Sequence, residues 1–156
     1  MGLEIERKFL VKGDVYKEEA LQTIHITQGY LCSVPERSVR IRMCGDRGFI
    51  TIKGLGSDNG ICRYEWEKEI PVEEARELML LCEPGVIDKT RHLVKAGEFT
   101  IEVDEFHGDN EGLVVAEVEL PDVGTTFERP VWLGKEVTGD ERYYNVMLKK
   151  HPFKDW

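Results

Sequence analysis

Apolar and polar residues alternate with a period of two along most of the chain, which predicts a protein built mainly from β-strands. In the opening stretch, Ile5 and Phe9 fall on one face. The other face of that stretch carries Glu4, Glu6 and Lys8. The same alternation predicts seven further strands, at about 23–33, 38–43, 49–53, 61–70, 86–95, 98–106 and 113–120.

Three helices are predicted between and after these strands. Asp14 is the candidate N-cap of a short helix that follows the first strand. An apolar stripe at positions i, i+3, i+4 and i+7 predicts an amphipathic helix over 72–82. Thr138 and Glu141 have the spacing of a capping box, which predicts a last helix ending at about Lys150.

Eight strands joined by short connections predict an antiparallel sheet that closes into a barrel, because closure removes exposed strand edges. The expected fold class is α+β, mainly β, with a few helices packed outside the barrel. Either face of the strands could point inward. The apolar faces could fill the barrel with the charged faces in water, or the charged faces could line its interior.

Clustering of the charges by sign favours a charged interior. Acidic pairs occur at Glu4/Glu6, Glu65/Glu67, Glu102/Asp104 and Glu117/Glu119, and basic pairs at Arg40/Arg42 and Lys89/Arg91. Like charges on one strand face repel each other, and an ordinary solvated face mixes in Ser, Thr and Gln. The opposite faces carry aromatic and β-branched residues along almost every strand, enough for an outer layer under helices. We therefore predict an eight-stranded antiparallel barrel, or tunnel, with a charged interior.

Composition and charge narrow the class of protein. A chain of 156 residues with 41% hydrophobic residues suits one domain, residues 1–156. The net charge of −9 argues against a nucleic-acid binder, and no apolar run is long enough to span a membrane. The four cysteines form no C-x-x-C pair, which is typical of reduced thiols in a cytoplasmic protein. The sequence leaves open whether the protein is a monomer or a homodimer.

An interior lined by both cations and paired carboxylates has a direct chemical use. Arginine and lysine side chains bind phosphoryl oxygens, and carboxylates bind Mg²⁺ or Mn²⁺, which bridge to the same phosphates. The four histidines are scattered, which disfavours zinc or a histidine base.

Several alternating motifs together resemble one known family. The segment 4–8, Glu-Ile-Glu-Arg-Lys, is similar to the E-x-E-x-K signature of the CYTH superfamily, the triphosphate tunnel metalloenzymes. The resemblance continues in order through Arg40-x-Arg42, Thr51-x-Lys53, Arg63-x-Glu65-x-Glu67, Lys89-x-Arg91, Glu102-x-Asp104 and Glu117-x-Glu119, and through 132–138 and 143–148. The family implies an eight-stranded antiparallel tunnel and hydrolysis or cyclisation of a triphosphate with a divalent metal.

The resemblance and the chemistry together imply roles for these residues. The expected metal ligands are Glu4, Glu6, Glu117 and Glu119, with Asp104 as a weaker ligand. The expected phosphate-binding residues are Lys8, Arg40, Arg42, Lys53, Arg63, Lys89 and Arg91. Glu65, Glu67 and Glu102 are expected in supporting roles, such as orienting arginines. Lys8 or Lys89 would accept the proton of the attacking water, and the sequence does not choose between them.

The charge of this set supports a metal cofactor. The inward residues comprise eight acids and seven bases, so a triphosphate would meet a net charge of −1 without divalent cations. The short chain leaves little structure to recognise a base or a thiazole ring, which favours inorganic tripolyphosphate as substrate. A class IV-type adenylate cyclase or a thiamine or nucleoside triphosphatase is the alternative, and a non-catalytic polyphosphate-binding module is the third.

Overall fold

Nine strands and three short α-helices make up the part of the chain that the computed structural model describes, residues 5–56 and 63–156. The strands are β1 (Ile5–Val11), β2 (Gln22–Cys32), β3 (Arg37–Cys44), β4 (Arg47–Gly56), β5 (Arg63–Ile70), β6 (Ile87–Ala96), β7 (Phe99–Phe106), β8 (Val114–Leu120) and β9 (Leu133–Glu136). The helices are α1 (Tyr16–Glu19), α2 (Val72–Met79) and α3 (Asn145–Lys150).

The predicted architecture, mainly antiparallel strands with a few helices, is confirmed. The additional strand β9 was not predicted, because four residues are too short to show alternation. The capping box is wrong: Asp140 caps a 3₁₀ turn by accepting from the Arg142 amide, and α3 starts only at Asn145. Asp14 is not a cap either, since α1 has no side-chain hydrogen bond at its N-terminus.

Two compact units can be distinguished along the chain: one combines residues up to Ile24 with Lys89–Trp156, and the other is His25–Asp88. We call them unit 1 and unit 2. The expectation of a single domain over 1–156 stays a prediction. In the described parts of the chain, none of the helices has the length and apolar character required to cross a membrane.

Unit 1 contains an antiparallel sheet in the order β6–β7–β8–β1–β9. The β6–β7 hairpin turns through two residues, and the first of them, Gly97, has a φ of 64° that favours glycine. One face of this sheet is apolar and buried, with Phe9, Val103 and Val118 in contact with a cluster that includes Tyr16 and Trp132. The opposite face carries most of the charged residues, including Glu6, Lys8, Glu117 and Glu119, as the alternation predicts.

Unit 2 contains an antiparallel sheet in the order β2–β3–β4–β5. Helix α2 packs on one face of this sheet at very short range. A Cβ atom added to Gly48 of β4 would lie 2.7 Å from the Cβ atom of Ala75 in α2. A Cβ atom on Gly29 of β2 would lie 3.0 Å from the Cys82 side chain, just after the helix. The charged residues of β3 and β4 occupy the other face.

The sequence predicts a closed ring of eight strands. The hydrogen bonding between the described strands differs from this prediction at the two ends of the strand order. Within its own unit, each of β5 and β9 pairs with a single described strand, β4 and β1 respectively. Strand β9 occupies the outer edge of β1, which a closing strand would otherwise need. Closure of the sheet is therefore not seen among the described residues.

Candidate active site

Carboxylate groups lie directly opposite one another on the charged face of unit 1. The register pairs Glu6 of β1 with Glu119 of β8, and Glu117 of β8 with Glu102 of β7. Like charges in opposed positions destabilise a sheet unless cations compensate them. The arrangement therefore requires positive charge on this face, from lysine and arginine side chains or from bound ions.

Lys8 supplies part of that charge. Its Nζ atom lies 3.3 Å from Glu6 and 2.5 Å from Glu117, and only 8% of its side chain is exposed. Burial alone would lower the pKa of Lys8, but the Glu117 and Glu6 carboxylates outweigh it and raise the pKa. Burial, the Glu6 charge and the Asp104 charge raise the pKa of Glu117 above its ordinary value, against the lowering effect of Lys8.

Lys89, Arg91 and Asp104 form a second charged cluster on the same face. Asp104 accepts from Lys89 Nζ at 2.9 Å and from Arg91 Nε and Nη2 at 2.8 and 3.0 Å. Arg91 also pairs with Glu102 at 2.5 Å. The side chains of Lys89 and Asp104 are each only 2% exposed.

The pKa shifts in this cluster separate the two candidate lysine bases. Burial lowers the pKa of Lys89, the Arg91 charge lowers it further, and Asp104 only partly offsets the two. Burial opposes the ionisation of Asp104, but Lys89 and Arg91 together lower its pKa and hold it as a carboxylate. Lys89 is therefore easier to deprotonate than an ordinary lysine, whereas Lys8 is harder to deprotonate.

Unit 2 carries the arginine pair of β3. Arg40 lies opposite Thr51 of β4, which in turn lies opposite Glu67 of β5, so the three side chains share one face. Thr51 donates a hydrogen bond to Glu67 at 2.7 Å, and the nearest Arg40–Glu67 approach is 3.9 Å. Burial, followed by the neighbouring Arg42 charge, lowers the pKa of Arg40.

Arg40 and Arg42 each have a hydrogen-bond donor that none of the described residues uses. The Nε atoms of Arg40 and Arg42 are buried and have no hydrogen-bond partner among the described residues. A buried donor without an acceptor is costly, and most such groups are paired in native proteins. The geometry is therefore suited to an anionic ligand that would accept these hydrogen bonds.

The structure brings most of the predicted residues onto these two charged faces. Unit 1 contains Glu6, Lys8, Lys89, Arg91, Glu102, Asp104, Glu117 and Glu119, and unit 2 contains Arg40, Arg42, Lys53, Glu65 and Glu67. Lys53 lies opposite Glu65 across β4 and β5. Glu4 and the side chain of Arg63 lie outside the described residues. Within the described parts, no three carboxylate, histidine or cysteine side chains are grouped as metal ligands.

Sequence reasoning missed several uncharged residues on these faces. Gln28 and Tyr30 of β2 lie opposite Arg42 and Arg40, and the Gln28 residue is 2% exposed. Asn145 accepts a hydrogen bond from Lys89 at 3.4 Å. An uncharged side chain gives no indication of what it faces, although a glutamine inside an apolar strand pattern is a usable signal.

In each unit, an antiparallel sheet has one apolar face and one face where desolvated cations lie beside carboxylates. This combination defines a class of β-proteins suited to binding small polyanions. The chain belongs to the CYTH domain family, whose sequence model matches residues 2–145. The family expected from the sequence motifs is confirmed.

Named relatives match over nearly the whole chain. A protein of Acetivibrio thermocellus named inorganic triphosphatase is 50% identical over 157 residues, covering 100% of this chain and 99% of the relative. A Nitrosomonas europaea protein with the same name is 37% identical over 150 residues, covering 93% of this chain and 95% of the relative. A crystal structure of an inorganic triphosphatase aligns with a TM-score of 0.71 at 33% identity, covering 96% of this chain and 95% of that chain.

Proposed function

We propose that this protein hydrolyses triphosphates, with inorganic tripolyphosphate as its preferred substrate, and releases orthophosphate. Relatives at 50% and 37% identity that bear the name inorganic triphosphatase support this enzyme class. In the reaction, water attacks a terminal phosphorus atom, the bridging P–O bond breaks, and orthophosphate and pyrophosphate leave. The protein must therefore bind a highly charged anion and accept one proton from water.

The observation that carries the proposal is the buried arginine pair of unit 2. The Nε donors of Arg40 and Arg42 lack protein acceptors among the described residues, and phosphoryl oxygens would complete them. Thr51 donates a hydrogen bond to the nearby Glu67 carboxylate, whose closest approach to the Arg40 guanidinium group is 3.9 Å. Lys53, Arg63 and Arg91 are proposed to add further positive charge for the phosphates.

Lys89 is the better candidate for the proton acceptor. Its pKa is lowered by burial and by Arg91, so a neutral amine is more accessible there than at Lys8. Lys8 is held between Glu6 and Glu117, which favours its charged form and a role as a phosphate ligand. We therefore propose both lysines as site residues, Lys89 as the proton acceptor and Lys8 as a phosphate ligand.

We propose that Mg²⁺ or Mn²⁺ is held by Glu4, Glu6, Glu117 and Glu119, with Asp104 in a weaker role. The fit is chemical: these are oxygen donors, and Glu6 and Glu119 lie opposite each other in register. When bound, such a cation would neutralise phosphate charge. Glu65, Glu67 and Glu102 would orient the cationic side chains.

The proposal includes a small-molecule substrate, no nucleic-acid or membrane partner, a monomeric or homodimeric state and a cytoplasmic location. Cys32, Cys44 and Cys82 are free thiols, as expected for a reducing compartment. The net charge of −9 supports a small anion, held locally by cations, over a nucleic acid.

The test is a phosphate-release assay on tripolyphosphate, ATP and thiamine triphosphate, each with Mg²⁺ or Mn²⁺. We expect kcat/KM to be highest for tripolyphosphate. Cyclic AMP formed from ATP would instead indicate the cyclase, and polyanion binding without turnover would indicate the binding module. Release of no phosphate from any triphosphate would contradict the proposal.

A substitution in the arginine pair tests which residues bind the substrate. Arg40→Met should lower kcat/KM for tripolyphosphate by about 10- to 150-fold, because it removes a charge-assisted contact of about 1.5–3 kcal/mol. The matched control is Arg47→Met, which removes an exposed arginine paired with Glu69 and should change kcat/KM by less than about twofold. Equal effects of the two substitutions would count against a phosphate-binding role for Arg40.

A further inference from the structure

The C-terminal segment of unit 1 holds the main chain of Lys8. We infer that Thr138 is a positioning residue whose hydroxyl group fixes the backbone of Lys8 and thereby the place of the Lys8 ammonium group. Glu136 and Arg7 orient that hydroxyl group from the opposite side of β1. The inference rests on the proposed function, because it assigns Thr138 an effect on turnover through Lys8.

Both backbone polar groups of Lys8 are bonded to two consecutive residues that follow β9. The Lys8 amide donates to Thr138 Oγ1 at 2.9 Å, and the Val137 amide donates to the Lys8 carbonyl oxygen at 2.8 Å. Because both backbone groups of Lys8 bond to these residues, they do not bond to Glu117 of β8. Lys8 and Glu117 are therefore a non-hydrogen-bonded pair of the β1–β8 ladder. Side chains approach most closely in such pairs, as the Lys8–Glu117 contact requires.

The Thr138 hydroxyl group is oriented by a carboxylate. It donates its single proton to Glu136 Oε2 at 2.7 Å, so its lone pairs are free to accept from the Lys8 amide. A serine can make the same two hydrogen bonds. A valine of similar shape can make neither, and it would leave the Lys8 amide without this acceptor.

Glu136 is itself held in place by an arginine fork. Arg7 Nε and Nη2 donate to the two Glu136 carboxylate oxygens at 2.8 and 2.6 Å, a bidentate geometry. The Arg7 guanidinium group also lies 5.4 and 5.8 Å from the ring centroids of Phe9 and Phe127. Arg7 and Phe9 point to the apolar side of β1, so this support reaches Lys8 only through the main chain.

The ladder between β1 and β9 does not by itself hold Lys8. Strand β9 has four residues, and its register with β1 shifts between Phe9 and Val11. The bonds from Val137 and Thr138 come after this irregularity, at the position where the Lys8 side chain enters the charged face. Small displacements of a reacting or binding group reduce turnover strongly, so a loss of this restraint should be measurable.

The test compares Thr138→Val with Thr138→Ser in two measurements. In the tripolyphosphate assay, Thr138→Val should lower kcat/KM by about tenfold, whereas Thr138→Ser should stay within about twofold of the unmodified protein. In NMR amide exchange, the Lys8 amide should exchange about tenfold faster in Thr138→Val only. Glu136→Gln should give a smaller loss of the same kind.

The matched control is Thr125→Val, which removes another threonine hydroxyl bonded to a carboxylate, that of Asp122 at 3.0 Å. This variant should keep kcat/KM and the Lys8 exchange rate unchanged. If Thr138→Val lowers the melting temperature, the Thr138→Ser comparison and the exchange rate of Lys8 relative to its strand neighbours still separate a local effect from a global one.

The outcomes separate this inference from the proposed function. Unchanged Lys8 exchange in Thr138→Val, a kcat/KM within twofold of the unmodified protein, or an equal loss in Thr138→Ser would each overturn the positioning role. An unmodified protein without turnover would overturn the proposed function. Amide exchange alone would then decide whether Thr138 holds the Lys8 backbone.

Discussion

At the scale of single residues, the environment of each charged group determines what that group can do. Lys8 and Lys89 both lie on the charged face of unit 1, yet their pKa values move in opposite directions. Glu117 and Glu6 lie beside Lys8, whereas Lys89 is more deeply buried and has Arg91 beside its ion-pair partner Asp104. Sequence alone left them equivalent, because it does not show burial or the identity of neighbours.

The pH dependence of stability should report the Arg7–Glu136 pair. The Arg7 hydrogen bonds lower the pKa of Glu136 from 4.5 to about 2, so the pair stabilises the fold above pH 4.5 and loses this effect as pH falls toward 2. The Glu136 side chain is 35% exposed, so solvent screening limits the contribution to about 1 kcal/mol. Urea unfolding should show Glu136→Gln less stable than the unmodified protein by this amount at neutral pH.

The same difference should shrink as pH falls from 4.5 toward 2 and approach zero below a pH of about 2, where Glu136 is protonated in both the folded and the unfolded state. In an Arg7→Met background, Glu136→Gln should have little effect at any pH, because the cationic partner Arg7 is already absent and a glutamine carbonyl oxygen can still accept from Thr138. A difference between the two proteins that stays constant from neutral to acid pH would contradict this origin.

At the scale of elements, the contact between α2 and its sheet depends on glycine. Ala75 of α2 is fully buried and faces Gly48 of β4, and a larger residue at position 48 would also meet the Ile70 carbonyl oxygen at 3.1 Å. The helix was predicted from its apolar stripe. The contact of Gly48 and Gly29 with the helix region is not predicted by the sequence, because a glycine in a strand can serve several different purposes.

We expect Gly48→Ala to destabilise the protein by about 1–3 kcal/mol through overpacking, measured by urea unfolding. The control is Gly124→Ala, whose added Cβ atom would lie at an ordinary contact distance of 3.5 Å from Asp122 Oδ1. This change should alter stability by about 0.5 kcal/mol or less. Adding Ala75→Gly to Gly48→Ala should cost less than the sum of the two single changes. Strict additivity would argue against a direct clash.

At the scale of the whole molecule, an excess of acidic residues coexists with cationic side chains that are largely buried. The net charge is −9. The exposed fraction of the side chain is 20% for Arg40, 2% for Lys89 and 17% for Arg91. Desolvated like charges destabilise the free protein, so a bound polyanion and its cations should stabilise it.

A non-hydrolysable triphosphate analogue with Mg²⁺ or Mn²⁺ should therefore raise Tm. At a concentration of about 100 Kd the expected gain is about 2.7 kcal/mol, equivalent to roughly 5–10 °C for a chain of this size. Differential scanning fluorimetry checks this, with Arg40→Met as the variant that should lose most of the shift. An equal shift without the divalent cation would contradict the proposed metal site.

The sequence by itself determined which segments form most of the strands, which family the chain belongs to, and which side of each strand carries charge. These follow from alternation with a period of two, in which Glu6, Lys8, Arg40 and Arg42 stand out as paired charges. Local patterns of this kind persist in the chain whatever the tertiary contacts are.

The tertiary structure alone decided which charges meet. The opposed Glu6 and Glu119, the Lys89–Asp104 pair and the hold of Thr138 on Lys8 join residues far apart in the chain. The capping box at Thr138 was wrong for the same reason: its hydroxyl group bonds Lys8 and Glu136, across 130 residues in the first case, instead of starting a helix. Register and long-range hydrogen bonds arise only on folding, so no local pattern encodes them.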